Sequence, residues 1–150
     1  MGYRSQVKYM IMFPTELLAK EFIAVHSIPE DTSQALDELK YVGHTDRNYP
    51  CLFGELNDVK WSARFSELRA HMKLINAAQE QGYATAYSRI GEDVGDIEVE
   101  HQSGDHEAFD GVADTYDYMY VSSRIEFELS TANAVPSKEL FIGEENRNVD

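Results

Sequence analysis

Cysteine is almost absent from this sequence of 150 residues, in which Cys51 is the only one. A single cysteine excludes an internal disulfide framework and any zinc site built from several thiolates. Long apolar runs are also missing: no stretch of about 18 apolar residues occurs, and charged side chains interrupt the N-terminal segment. We therefore expect neither a membrane span nor a signal peptide, and we expect a soluble, intracellular protein.

Positive charge is scarce in the second half of the chain. Residues 1–75 hold 10 acidic and 9 basic side chains, whereas residues 76–150 hold 17 acidic and 4 basic ones, so nearly all of the net charge of -14 lies in the second half. Binding to nucleic-acid phosphates needs lysine and arginine, so direct binding to nucleic acid is not expected. The strong negative potential favours a basic protein partner instead.

Common catalytic motifs are absent as well. The sequence has no phosphate-binding loop, no dinucleotide-binding fingerprint and no Gly-x-Ser-x-Gly elbow. Cys51 stands between Pro50 and Leu52, where a small buried side chain is the simplest interpretation; a nucleophilic pair with the nearby His44 is the weaker alternative. We therefore predict that the protein is not an enzyme and needs no cofactor.

Hydrophobic periodicity predicts the elements of the first half. Alternation over 7–13 is typical of a central strand, and spacings of 3 and 4 over 14–26 and 62–81 indicate two amphipathic helices, the second capped by Gly82. A short helix is expected to begin at the capping residues 31–33. The segment 52–61 reads as a strand with a turn or bulge, and 44–49 as a polar loop.

The second half reads as strands. We predict strands at 83–90 and 96–100 around a turn formed by Gly91 and Gly95, with Ile97 and Val99 pointing inward. Residues 102–115 resemble a polar, flexible connection, and 119–129 alternate as one long half-buried strand. The predicted fold is α+β, a mostly antiparallel twisted sheet with two main helices on one face, in a ferredoxin-like variant. Residues 1–129 form the predicted domain and 130–150 a partly mobile acidic tail.

Carboxylates and tyrosines form the candidate interface. Tyrosine supplies large contact area at low entropic cost, and rows of carboxylates can imitate DNA phosphates. The alternative is a solvated hairpin tip and the exposed polar face of a sheet. The candidate interface residues are Glu92, Asp93, Asp96, Glu98, Glu100, Asp114, Tyr116, Asp117, Tyr118, Tyr120, Glu126 and Glu128.

Two further groups carry alternative functions. Arg4 and Arg89, with Tyr87 and Trp61 as stacking surfaces, could bind an anion or nucleotide on the sheet, although an ion pair of Arg89 with Asp96 or Glu98 is the simpler interpretation. A metal-dependent enzyme is the third alternative. Its ligands would be His101, Asp105, His106 and Asp110, for which a solvated loop is the simpler interpretation.

Three segments carry a resemblance to a known group: MGYRSQV at the N-terminus, VKW at 59–61 and YSRIGEDVGDIE at 87–98. The chain resembles small uncharacterised tailed-bacteriophage proteins over roughly residues 1–100 and, less clearly, to Leu129. The resemblance implies a viral accessory protein in the host bacterial cytoplasm and transfers no catalytic residue. We accordingly predict a protein that binds and inhibits or redirects a host protein, one that itself binds nucleic acid being an option; homo-oligomerisation stays open.

Overall fold

A computed structural model describes residues 5–43, 49–59, 66–93, 95–115, 119–121, 125–127 and 134–139. The helices are α1 Glu16–His26, α2 Glu30–Asp37 and α3 Ser66–Glu80. The strands are β1 Ser5–Met12, β2 Lys40–Val42, β3 Cys51–Val59, β4 Ala84–Gly91, β5 Ile97–Gln102, β6 Met119–Val121, β7 Ile125–Phe127 and β8 Val135–Pro136.

The main sheet has six strands in the order β5-β4-β1-β3-β2-β8, and each neighbouring pair is antiparallel. Its inner four strands follow the order β4-β1-β3-β2 and are connected as β1, α1 with α2, β2, β3, α3, β4. This is the ferredoxin-like arrangement, here extended by one strand at each edge. The predicted α+β class and the central position of β1 are confirmed.

The helices cover one face of the sheet. On β1, Val7, Tyr9 and Ile11 alternate toward this face and pack in one cluster with side chains of α1, α2 and α3. Gly54 lies opposite Tyr9 on β3, where an added Cβ would stand 2.4 Å from Leu39 Cδ2. The missing side chain therefore lets the chain after α2 approach the sheet closely.

The opposite face is covered by the chain that follows β5, which the sequence does not predict. Phe109 and Ala113 are buried in a second cluster with Met10 and Met12 of β1 and with Ala84 and Ala86 of β4. The prediction of a flexible connection over 102–115 is therefore wrong. Although the composition of this segment is polar, a few of its apolar side chains pack against the sheet and cover this face.

Other boundaries also differ from the predictions. β6 and β7 pair with each other antiparallel, with Met119 opposite Phe127, so 119–129 is not one long strand. Two-residue alternation is the same for one strand and for two short ones, because it does not mark where the chain reverses. The short β2 was not predicted, and α2 begins at Glu30 after Pro29 rather than at 31–33.

Three further features concern β3, the residue that caps α3, and the segment 134–139. β3 contains the expected irregularity, a register shift between its pairings with Ser5 and Val7. Gly82 follows α3 with a φ of +83°, as expected of a C-terminal cap. The segment 134–139 is docked: β8 pairs with β2, and the Ser137 N–H donates to the Leu39 carbonyl at 3.0 Å.

Candidate protein-interaction surface at the edge strand

The turn between β4 and β5 forms as the two glycines predict. The Gly91 N–H donates to the Asp96 carbonyl at 2.8 Å, and the Asp96 N–H donates to the Asp93 carbonyl at 3.1 Å. Gly95 has a φ of +84°, a conformation that glycine adopts without strain. Glu92 and Asp93 are exposed residues at the tip of this turn.

Arg89 makes the ion pairs that we considered its simpler role. Its Nη2 lies 2.6 Å from Asp96 Oδ1 and 2.8 Å from Glu98 Oε1, and its side chain is only 11% exposed. Hydrogen bonds to Asp96 have the largest effect on the pKa of the guanidinium and raise it. Burial, the next largest influence, lowers this pKa, and the remaining contacts with Glu98 and Asp96 raise it, so the pKa is raised overall. Asp96 and Glu98 are therefore partly neutralised within the protein, whereas no partner is described for Glu100.

The edge strand β5 exposes both of its faces. Ile97 and Val99 are 45% and 47% exposed, and Glu98 and Glu100 are exposed on the other face. The prediction that Ile97 and Val99 point into the core is therefore wrong. The alternation was identified correctly, but the described part of the covering connection packs over β1, β3 and β4 and leaves these two side chains at the margin.

A groove of about 660 Å³ lies between α3 and the strands β4 and β5. Its walls include Met72, Ile75 and Gln79 from the helix, and Thr85, Tyr87 and Glu100 from the strands. Gln79 Nε2 donates to Thr85 Oγ1 at 3.0 Å, which ties the helix to the sheet at this point. The groove therefore combines an apolar helix wall with a carboxylate at its outer rim.

The alternative anion site does not assemble among the described residues. Arg4 and Trp61 lie outside them, Tyr87 is buried on β4, and Arg89 is engaged by two carboxylates. The only candidate arginine whose position is known thus stands in a negative environment. An anionic ligand would have to displace those acids and meet Glu100 as well.

The four candidate metal ligands do not form one cluster. His101 Nδ1 lies 2.9 Å from Thr115 Oγ1, His106 Nδ1 accepts from the Ala108 N–H at 3.0 Å, and the Asp110 backbone N–H donates to the Tyr49 hydroxyl at 3.3 Å. Asp105 is exposed. Within the described ranges, no three His, Cys, Asp or Glu side chains are grouped to hold a metal ion.

The remaining interface candidates are only partly described. Asp114 is exposed, and Tyr120 pairs with Glu126 across β6 and β7, although the orientation of those two side chains is not described. Tyr116, Asp117, Tyr118 and Glu128 lie outside the described residues. Cys51 is buried, its thiol donates to the Tyr49 carbonyl at 3.3 Å, and burial raises its pKa, so it is not an activated nucleophile. His44 also lies outside the described residues.

The sequence analysis did not predict a row of three neighbouring polar side chains, two of them buried in the core. The Tyr9 hydroxyl lies 2.6 Å from His71 Nδ1, and His71 Nε2 lies 3.4 Å from Glu38 Oε2, close enough for charge interaction but without hydrogen-bond geometry. Tyr9 and His71 are fully buried, and Glu38 reaches solvent. The signal was present: His71 stands on the apolar stripe of α3, three residues after Leu68 and four before Ile75.

Comparison with known proteins adds no assignment. No protein-family model matches this chain, and neither a curated protein nor a solved structure shows a match. None of the described helices is long and apolar enough to cross a membrane. The functional interpretation therefore rests on the chemistry of the surface itself.

Proposed function

We propose that this protein is an interaction protein that binds a basic protein partner through the surface formed by β5 and the turn before it. We call this surface the acidic edge and define it by Glu92, Asp93, Ile97, Val99 and Glu100. The observation that carries the proposal is the exposure of two apolar side chains beside carboxylates on an edge strand. Apolar contacts at the centre of an interface supply affinity, and surrounding charges select the partner.

The resemblance to tailed-phage proteins extends the proposal to the partner. A virus-encoded accessory protein acts on molecules of its bacterial host, so the partner would be a host protein that is inhibited or redirected. The charge of the acidic edge favours a basic target, and nucleic-acid-binding proteins present basic surfaces. Imitation of nucleic-acid phosphates by carboxylates is then one way in which the target would be inhibited.

Charge also predicts how binding responds to salt. Opposite charges speed association, and their attraction is screened as the Debye length falls from about 30 Å at 0.01 M to about 8 Å at physiological ionic strength. The captured partner should therefore bind at low salt and be released as salt rises. The apolar contribution of Ile97 and Val99 should leave some binding that salt does not remove.

The test is capture from host lysate with matched charge reversals. Glu100→Lys reverses a charge on the acidic edge without touching the Arg89 ion pairs, and Glu139→Lys makes the same change beside β8, at the other end of the sheet. We expect one basic protein to be captured by the wild type and by Glu139→Lys and to be lost with Glu100→Lys. Equal capture by all three proteins would contradict the proposal.

A further inference from the structure

We infer that the acidic edge binds its partner by strand addition, in which an extended basic-apolar-basic segment of the partner pairs antiparallel with β5. This inference rests on the proposed function and specifies the form of the partner. Strand addition derives affinity from main-chain hydrogen bonds and specificity from alternate side chains. Both contributions can be read from β5.

The backbone of β5 offers hydrogen bonds at Val99. The Gly91 N–H donates to the Asp96 carbonyl, so these two residues form a hydrogen-bonded pair. Every second pair along an antiparallel ladder is hydrogen-bonded. The next such pairs between β4 and β5 are therefore Arg89 with Glu98 and Tyr87 with Glu100. Val99 lies between them, and its N–H and C=O consequently point away from β4. Neither group has a partner in the part of the chain that the structure describes.

The two edges of the sheet differ in how they are protected. β8, at one edge, has two residues and ends in Pro136, which cannot donate a backbone hydrogen bond. β5, at the other edge, has six residues and contains no proline, lysine or arginine. Short length, proline and charged side chains, lysine above all, are usual means by which proteins prevent strand pairing at an edge. The charges of β5 are the carboxylates of Glu98 and Glu100, which oppose an acidic strand and attract a basic one. Of the two edge strands that the structure describes in the six-stranded sheet, β5 is therefore the one suited to an added strand.

Side-chain directions on β5 define the sequence of the partner strand. A residue directly opposite Val99 would share its face, where Val99 and Ile97 offer exposed apolar surface. Its two neighbours would point to the helix face, opposite Glu98 and Glu100. Lysine or arginine opposite Glu100 would meet the carboxylate of the acidic edge, and opposite Glu98 a carboxylate that Arg89 neutralises only in part, so the favoured segment is basic-apolar-basic.

The groove beside α3 accommodates a long basic side chain. It opens on the helix face next to Glu100, and Met72 and Ile75 form its apolar wall. The aliphatic stem of lysine or arginine can lie on such a wall while its charged end reaches the carboxylate. A second copy of this chain is the wrong occupant, because pairing β5 with itself would bring Glu98 and Glu100 against like charges.

The test uses two synthetic peptides that have the same composition as each other. Each is six residues long, like β5. Lysine and valine alternate in the first peptide and stand in separate blocks in the second. We expect the alternating peptide to bind the wild type about tenfold more tightly, because only alternation places its valines on the face of Val99 and its lysines on the face of Glu100. Equal binding of the two peptides, or binding of neither, would overturn strand addition.

Two substitutions at Val99 give an independent readout. Val99→Pro removes the outward N–H without removing a bond to β4, and Val99→Thr keeps the N–H in a β-branched residue of similar size. We expect Val99→Pro to weaken the alternating peptide about tenfold and Val99→Thr to change it little. If Val99→Pro does not fold, hydrogen exchange decides: the alternating peptide should protect the wild-type Val99 amide, and an unchanged exchange rate would contradict the inference.

The two proposals fail in different ways. Capture that depends on Glu100 but is unaffected by Val99→Pro would leave the proposed function in place and exclude strand addition. Capture that ignores Glu100→Lys would remove the proposed function itself. The alternating peptide would then have no natural counterpart, whatever its affinity for β5.

Discussion

At the scale of single residues, His71 is the buried titratable group that should make the stability of the core depend on pH. Burial is the dominant influence and lowers its pKa to about 4, although the Glu38 carboxylate at 3.4 Å would favour the protonated form. We assign the Tyr9 hydroxyl as the donor to Nδ1, which directs the Nε2 hydrogen toward Glu38. Burial, with a smaller contribution from Glu38, also raises the pKa of Tyr9, so both rings stay neutral near pH 7.

The first prediction is that stability falls as the solution is acidified through the range of His71. The unfolded chain binds a proton near pH 6.5 and the folded chain only near pH 4, so the stabilisation is complete above 6.5 and is lost between these values. The loss from this residue should approach about 3 kcal/mol. Urea denaturation between pH 7 and pH 4 measures it, and His71→Gln should flatten the curve; an equal slope in that variant would contradict the assignment.

The second prediction concerns Arg89. Arg89→Ala removes the largely buried guanidinium together with its hydrogen bonds to Asp96 and Glu98. This substitution should lower the free energy of unfolding by about 1–3 kcal/mol. Lys20→Ala is the control, since the Lys20–Glu16 ion pair spans one turn of α1 at a longer distance of 3.8 Å, with Glu16 exposed, and should be worth about 0.5 kcal/mol or less. Equal losses in urea denaturation would mean that Arg89 has no special structural role.

Single residues also show what one sequence can and cannot predict. The Arg89 ion pair followed from alternation, because residues of β4 and β5 that share a face lie opposite each other. The contact between Tyr9 and His71 joins residues 62 positions apart, so it depends on how α3 packs across β1. Local periodicity can place His71 on an apolar stripe, but it does not identify the partner on the sheet.

At the scale of elements, the connection after β5 acts as a cover for the sheet. Gly104 is held against Gly82, just after α3, and against the start of β4, where an added Cβ would stand 2.7 Å from the Ala84 nitrogen. Thr115 is fully buried and donates to the Thr85 carbonyl at 3.1 Å. These contacts fix both ends of a segment whose composition is typical of a flexible loop.

The third prediction tests this cover. Phe109 is 5% exposed within the second core cluster, so Phe109→Ala should cost about 3–5 kcal/mol of unfolding free energy. Val112, three residues later, is 73% exposed, and Val112→Ala should change stability by about 0.5 kcal/mol or less. Thermal and urea melts of the two variants measure both values. A small effect of Phe109→Ala would mean that the segment does not seal the sheet.

Elements also mark the limits of periodicity. The six-residue alternation of β5 predicted a strand correctly, but it assigned its apolar side to the core. Whether an apolar face is buried depends on how far the covering segment extends, and local sequence does not encode that distance. The same limit applies to β6 and β7, where alternation continues across two paired strands.

At the scale of the whole molecule, charge and topology converge on one edge. The excess of acidic residues lies in the second half of the chain, and β5 from that half forms an end of the sheet. The other end is formed by β8 with its proline. A ferredoxin-like sheet extended by a strand at each edge thus has one protected side and one acidic, open side, and the latter is the proposed binding surface.

Residue-resolved amide hydrogen exchange of the free protein tests the central claim most directly. The Glu98 and Glu100 amides point toward β4 and should exchange slowly, whereas the Val99 amide points outward and should exchange at least about tenfold faster, because no ladder hydrogen bond protects it. Addition of a basic partner should then slow Val99 alone among the three. A Val99 amide as slow as its neighbours in the free protein would mean that the edge is already covered, and the account of an open acidic edge would be wrong.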